Sequence, residues 1–105
     1  MRITKEMLDN RVTISFILNY LQKVQRHVLK RELPFSVHLN VSNTIGTGYS
    51  ILFNVFSYSD DIANLACDLH VRFKPDGILV SDPIVFDKIK KINENFEFLD
   101  TLLLK

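Results

Sequence analysis

Cysteine, glycine and proline are all scarce in this chain of 105 residues. Glycine and proline occur three times each, so no flexible linker or low-complexity tract divides the sequence, and we expect one α+β domain over residues 1–105. The single cysteine, Cys67, excludes an intramolecular disulfide and a zinc site built from several cysteines. It falls in an alternating apolar register, where a small buried thiol is the simplest interpretation.

An excess of charge of one sign is also missing. Thirteen basic residues face twelve acidic ones, for a formal net charge of +1, which gives no general electrostatic reason to bind nucleic acid and argues against a DNA mimic. No apolar run approaches the ~18 residues of a membrane-spanning helix, and the opening residues lack an apolar signal core. We therefore expect a cytoplasmic protein with no membrane partner.

Apolar and polar residues alternate through most of the segment between residues 35 and 80. This period of two predicts strands with one buried and one solvated face. The segments 42–48, 57–61 and 74–77 supply the turns, and Ile78, Leu79 and Val80 form a short closing strand. The apolar members of the pattern are Phe35, Val37, Leu39, Val41, Ile51, Phe53, Val55, Leu65, Cys67, Leu69, Val71 and Phe73.

Segments with the period of an amphipathic helix flank these strands. The first must end before Pro34, and its length favours a break around Asn10 to Thr13. Asp82 and Pro83 are typical of a helix start, whereas Asn93 and Asn95 leave open a division of the last segment into two helices. The predicted fold is a four-stranded antiparallel meander between an N-terminal and a C-terminal helix. The helical apolar stripes are Ile14, Ile17, Leu21, Val24 and Val28, and Val85, Ile89, Ile92, Phe96, Leu99 and Leu103.

Catalytic patterns fail on spacing or context. Gly46 and Gly48 join two strands and precede no Gly-Lys-Ser/Thr, so they do not predict a phosphate loop. Asp76 is followed by Asp82, Asp87 and Lys88, but no acid lies two residues before a lysine, as a nuclease site requires. No nucleophile elbow surrounds any serine. The three histidines have no ligand spacing, so we predict no metal or cofactor. A small enzyme using His38 or His70 remains an alternative.

The outward face of the sheet combines apolar and polar side chains. Leu52 and Phe56 lie in an otherwise polar field, which is typical of a surface that recognises another protein. The alternative is that the C-terminal helix covers this face as a second core layer. The candidate partner-binding residues are His38, Asn40, Leu52, Asn54, Phe56, His70, Arg72 and Phe98.

Basic residues cluster near the end of the first helix and near the start of the last. Cations at a helix C-terminus are favourable against the helix dipole, so a structural role is sufficient. A nucleic-acid-binding module is the alternative if both groups share one surface. The candidate basic patch comprises Lys23, Arg26, Lys30, Arg31, Lys88 and Lys91.

The C-terminal segment holds more apolar residues than one stripe uses. Phe86, Phe98, Leu102 and Leu104 fall off the stripe, which predicts a homodimer formed through the last helix or the exposed sheet face. The competing interpretation is a tail that bends at Asn93 to Asn95 and folds both halves onto its own domain.

The residues from Ile3 to Val12, with sequence ITKEMLDNRV, resemble the start of small accessory proteins encoded by phages and prophages of Gram-positive bacteria. The resemblance covers about a tenth of the chain and carries no functional residue. It implies a genomic setting in which small proteins often bind a host or defence protein, as anti-CRISPR inhibitors do. The leading prediction is a non-catalytic protein-binding module.

Overall fold

The computed structural model describes residues 1–9, 11–44, 46–59, 62–80 and 83–105. Helix α1 covers Lys5–Asp9 and helix α2 covers Ile14–Lys30. Strands β1 (Phe35–Thr44), β2 (Gly48–Ser59) and β3 (Ile62–Phe73) follow, and helix α3 covers Pro83–Leu103. The α+β class and the antiparallel order are confirmed.

The sheet has three strands in the order β1-β2-β3, so the prediction of four strands is wrong. Ile78 and Leu79 make only isolated bridges, to Thr13 and Phe73 respectively. The tight turn after β3, where Gly77 adopts a φ of 83°, brings the segment back beside β3, and the Val80 N–H donates to the Arg72 carbonyl at 3.1 Å. The segment then divides its hydrogen bonds: the Leu79 N–H donates to the Val12 carbonyl at 2.8 Å, and no continuous ladder with β3 develops.

A β-bulge changes which residues of β3 face the core. Val55 pairs with Cys67 but the next residue, Phe56, pairs with Leu65, so Ala66 is the extra residue on β3. Directly opposed residues in an antiparallel pair lie on the same face of the sheet. Leu65 therefore joins Phe56 on the polar face, where it is 53% exposed, and the prediction that it faces the core is wrong. The predicted loop at 57–61 is also too long, because β2 continues to Ser59.

Helix α2 follows its predicted stripe, and the predicted break separates it from α1. The Thr13 hydroxyl caps its start by accepting from the Phe16 N–H at 3.2 Å. At its other end Glu32 adopts a left-handed φ of 52°, and the Leu33 N–H donates back to the Val28 carbonyl at 3.1 Å. The stripe residues Ile17, Leu21, Val24 and Val28 are all buried.

Helix α3 is continuous through both asparagines, so it is not divided into two. It buries more than one side. Leu102 is fully buried and Phe98 packs partly buried against the core, whereas Leu104 is 88% exposed. The apolar excess on which the dimer prediction through α3 rested is therefore smaller, and the homodimer stays a prediction. Val85 and Phe86 lie outside the residues whose side chains the structure describes.

Both long helices pack on the apolar face of the sheet and contact each other. The buried residues from the sheet, α2 and α3 form one hydrophobic cluster, with Phe53 and Phe96 at 0% exposure. The alternative in which α3 covers the polar face is therefore wrong, and neither α2 nor α3 lies over that face. Among the described helices, none is long and apolar enough to cross a membrane.

Gly48 begins β2 at a point of close backbone approach. It has a φ of +105°, and a Cβ placed there would lie 2.1 Å from the Phe73 carbonyl oxygen. Only glycine allows the start of β2 to lie this close to the end of β3. The predicted role of Gly46 and Gly48 as turn glycines is confirmed, since both have positive φ.

Candidate partner-binding surface

The face of the sheet opposite the helices is called here the open face, and its side chains form rows across the three strands. The register places Ser36, Phe56 and Leu65 in one row, His38, Asn54 and Asp68 in the next, Asn40, Leu52 and His70 in the third, and Ser42, Ser50 and Arg72 in the fourth. Tyr58 lies two residues beyond Phe56 on β2, so its side chain also projects from the open face, next to the first row.

Large apolar side chains occupy two parts of the open face. In the first part, Leu65 and the 65% exposed Tyr58 flank the half-buried ring of Phe56. In the second part, Leu52 is 39% exposed and lies four residues before Phe56 on β2, with Asn54 between them on the same face. The His38 ring meets the Phe56 ring edge to face, with centroids 5.5 Å apart and an interplanar angle of 83°. This contact orients Phe56 and leaves an apolar area without a covering element in the described chain.

Polar groups separate these apolar areas. The Asn54 side-chain amide donates to Asp68 Oδ1 at 3.0 Å, and Ser36 Oγ lies 3.1 Å from His38 Nε2. Each of these four side chains retains further hydrogen-bonding capacity toward solvent. Apolar contact area with interspersed donors and acceptors is the composition of a protein–protein interface.

The same geometry gives little support to catalysis. His38 and His70 lie on the two outer strands, which are about 10 Å apart at the usual strand spacing, and they occupy neighbouring rows, so the histidines are farther apart still. Ser36 and His38 are paired, but Asp68 bonds to Asn54 and does not orient the imidazole. Among the residues that the structure describes, no group of three His, Cys, Asp or Glu side chains is placed to hold a metal ion.

Cys67 is a packing residue beneath this surface. It is 1% exposed, and burial, with the nearby charge of Asp68, raises the pKa of its thiol to about 12. A thiol in this state is protonated and unreactive at neutral pH. The expectation of a small buried cysteine is confirmed.

The structure brings together seven of the eight predicted partner-binding residues. His38, Asn40, Leu52, Asn54, Phe56, His70 and Arg72 all lie on the open face. Phe98 does not join them, because it lies on α3 and packs edge to face on Phe35, with centroids 6.2 Å apart. Sequence reasoning missed Leu65 and Tyr58. Tyr58 was assigned to a loop, and only the bulge at Ala66 turns Leu65 outward.

The predicted basic residues are exposed but divided between α2 and α3. Lys88 and Lys91 on α3 are followed along the helix by exposed Glu94 and Glu97, so that surface carries both signs. Lys23 on α2 lies close enough to Asp100 to contribute to the lowering of its pKa. Lys23, Arg26 and Lys30 follow one line of α2, at i, i+3 and i+7.

Comparison of the chain with protein-family models, with curated proteins and with solved structures gave no match.

Proposed function

We propose that this protein is a non-catalytic binding module that uses the open face of its sheet to engage another protein. The observation that carries the proposal is the group formed by Phe56, Leu65, Tyr58 and Leu52, which remains accessible while both long helices pack on the opposite face. Apolar side chains that a domain leaves uncovered within a polar rim are characteristic of a recognition surface. The resemblance of residues 3–12 to phage accessory proteins directs the proposal toward a host or defence protein as the target, inhibited in the manner of an anti-CRISPR protein.

Photo-crosslinking in the cells that contain the chain tests this proposal. A photoreactive phenylalanine analogue replaces Leu65 on the open face or Leu104, which is 88% exposed at the end of α3. We expect a discrete protein adduct from position 65 and none from position 104. Adding Leu52→Lys to the position-65 protein should reduce the adduct about tenfold or more, since a charge would replace an interface anchor. Adding Leu104→Lys instead should leave the yield unchanged. Equal adducts at both positions, or none at either, would contradict the proposal.

A nucleic-acid-binding module remains the second candidate because of the line of Lys23, Arg26 and Lys30. All three are exposed, and α2 contains no acidic residue. Binding through these residues would weaken steeply with salt, with a slope in the logarithm of the affinity of about −0.9 per phosphate neutralised on duplex DNA. Nuclease-sensitive crosslinks in place of protein adducts, together with salt-dependent retention on DNA, would favour this function over the open-face proposal.

A further inference from the structure

The two outer edges of the sheet differ in how far other segments of the chain hydrogen-bond to their backbone groups. On β3, the Arg72 carbonyl accepts from the Val80 N–H at 3.1 Å, and the Asp68 carbonyl accepts from the Asn95 side-chain amide at 3.0 Å. The bulge at Ala66 and the charges of Asp68 and Arg72 further disfavour the addition of a strand. The outer edge of β3 is therefore partly occupied, at the carbonyls of Asp68 and Arg72.

The outer edge of β1 is not covered by the described chain. The Tyr58 N–H donates to the Pro34 carbonyl at 3.2 Å, which sets the phase of the β1–β2 ladder. The even-numbered residues of β1 thus bond to β2, whereas the odd-numbered residues direct their N–H and C=O groups outward. Those residues are Val37, Leu39, Val41 and Asn43, and within the described residues no other element donates to or accepts from this edge.

The sequence of β1 also lacks the usual protections of an edge strand. Its ten residues, FSVHLNVSNT, include no lysine, arginine, aspartate, glutamate or proline. The pairing of β1 with β2 shows no register shift, so no bulge bends the edge away. A long and regular edge with these properties is a template for another strand.

A strip of uncharged side chains on α2 runs beside this edge. Leu18, Gln22, Gln25 and Leu29 are spaced at i, i+4, i+7 and i+11, which places them on one side of the helix. Gln25 lines the same surface depression as Val37 and Leu39, and Leu29 is 78% exposed. The edge therefore offers two layers of contact, a strand and a helix side.

We propose that a second copy of this chain pairs its β1 antiparallel with this β1 and joins the two three-stranded sheets into one. The two-fold axis lies at Leu39, which faces Leu39 of the second copy. In this register Val37 opposes Val41 on the helix side, and His38 opposes Asn40 on the open face. The pairing is apolar with apolar and polar with polar, and it brings no two charges of like sign together.

The register with its two-fold axis at Asn40 is also phase-compatible but less complementary, because it opposes Val37 with Asn43. A second copy also fits better than an unrelated extended peptide. Either would satisfy the free backbone groups of β1, but only a second copy brings a matching α2 strip alongside. The dimer would place two open faces side by side on one continuous surface. The inference does not rest on the proposed function.

Light scattering at micromolar concentration tests the dimer. We expect a mass of twice the 12.2 kDa of the chain. Val41 is 43% exposed, so Val41→Lys should leave the domain folded while placing an unpaired charge twice in the two-fold interface. We expect its dimer dissociation constant to rise about 100-fold or more. Val41→Thr, which keeps the branched shape without charge, is the matched control and should remain dimeric. A wild-type monomer, or a dimer that persists in Val41→Lys, would overturn the inference.

Mild oxidation of cysteine variants tests the register without depending on that variant. The double variant His38→Cys with Asn40→Cys should form a disulfide-linked dimer, because residues 38 and 40 oppose each other across a non-hydrogen-bonded pair. Neither single variant should crosslink, and the buried Cys67 does not compete. Efficient crosslinking of His38→Cys alone or of Asn40→Cys alone would indicate a two-fold axis at that residue and overturn the axis at Leu39. No crosslink in any variant would overturn the strand pairing itself.

Discussion

At the residue scale, Asn93 and Asn95 connect α3 to two other parts of the chain. The Asn93 side-chain amide both accepts from the Ile3 N–H, at 2.8 Å, and donates to the Ile3 carbonyl, at 3.0 Å. The Asn93 side chain thus satisfies both backbone groups of Ile3, as a neighbouring strand would. Asn95 donates from its side-chain amide to the Asp68 carbonyl at the outer edge of β3. Asparagine is a weak helix former, but these tertiary hydrogen bonds outweigh its propensity.

The first prediction at this scale concerns Asn93. Asn93 is 8% exposed, and Asn93→Leu keeps the number and branching of the side-chain heavy atoms while leaving two buried backbone groups of Ile3 without partners. Because each such group costs about 1–3 kcal/mol, we expect the free energy of unfolding in urea to fall by about 2–6 kcal/mol.

Glu94→Leu introduces the same side chain one residue later at an exposed position of α3. We expect this control to change the free energy of unfolding by less than about 0.5 kcal/mol. Equal effects of the two substitutions would show that the Asn93 contact contributes no specific stability.

At the element scale, α2 offers a matched test of its buried face. Leu21 is 0% exposed, whereas Leu29 on the same helix is 78% exposed. Leu21→Ala should lower the free energy of unfolding by about 2–5 kcal/mol through lost burial and a residual cavity. Leu29→Ala removes the same atoms from an exposed position and should change the stability little. The melting temperatures of the two variants are compared with that of the wild type. A Leu21→Ala melting temperature equal to that of the wild type would contradict the assigned face.

The helices were the most predictable elements because their signal is local. The stripe from Ile17 to Val28 repeats at the helical period, and a proline and capping residues mark its limits. The structure of residues 78–80 could not be predicted in this way. Their short apolar run is typical of a strand, but their backbone groups bond partly to Val12 and partly to β3, and these partners are set by distant parts of the chain.

The candidate site could be predicted from the sequence only where apolar and polar residues alternate along a strand without interruption. His38, Leu52, Phe56 and their neighbours were placed on one face because each strand alternates without interruption there. Leu65 follows the same apolar pattern as Cys67 and Leu69 in the sequence, and nothing in its residue type distinguishes it. The bulge that reverses it arises from the pairing of β3 with β2, so the apolar character of the open face was underestimated.

At the scale of the whole molecule, Asp100 links the first residue, α2 and α3. Its carboxylate accepts from the Met1 ammonium group and from the Tyr20 hydroxyl. Partial burial alone would raise the pKa of Asp100, but these two hydrogen bonds outweigh it and lower the pKa. Burial and the same carboxylate raise the pKa of Tyr20, so its hydroxyl remains a donor throughout the neutral range.

A lowered folded-state pKa fixes the sign of the pH dependence. The contribution of Asp100 is present above its unfolded pKa of about 4 and is lost as the pH falls through the lower folded-state value. We expect Asp100→Asn to destabilise near neutral pH by about 1 kcal/mol or less, because 45% of the Asp100 side chain is exposed and solvent screens the pair. The difference from wild type should shrink toward about pH 2, as measured by urea unfolding.

Glu97→Gln removes one negative charge from an exposed position of the same helix and is the control for net charge. Its difference from wild type should not follow the same acidic transition. A constant difference between Asp100→Asn and wild type at every pH would contradict the proposed linkage.

The contact between Ile3 and Asn93 joins positions separated by 90 residues. During synthesis the segment around Ile3 leaves the ribosome early, and its buried hydrogen-bonding partner emerges only after all three strands. Until then the apolar side of β3, including Leu69 and Val71, has no α3 to pack against. Formation of the sheet and completion of the core are thus separated in time, and the nascent chain depends on rapid docking of α3 to avoid association through that uncovered surface.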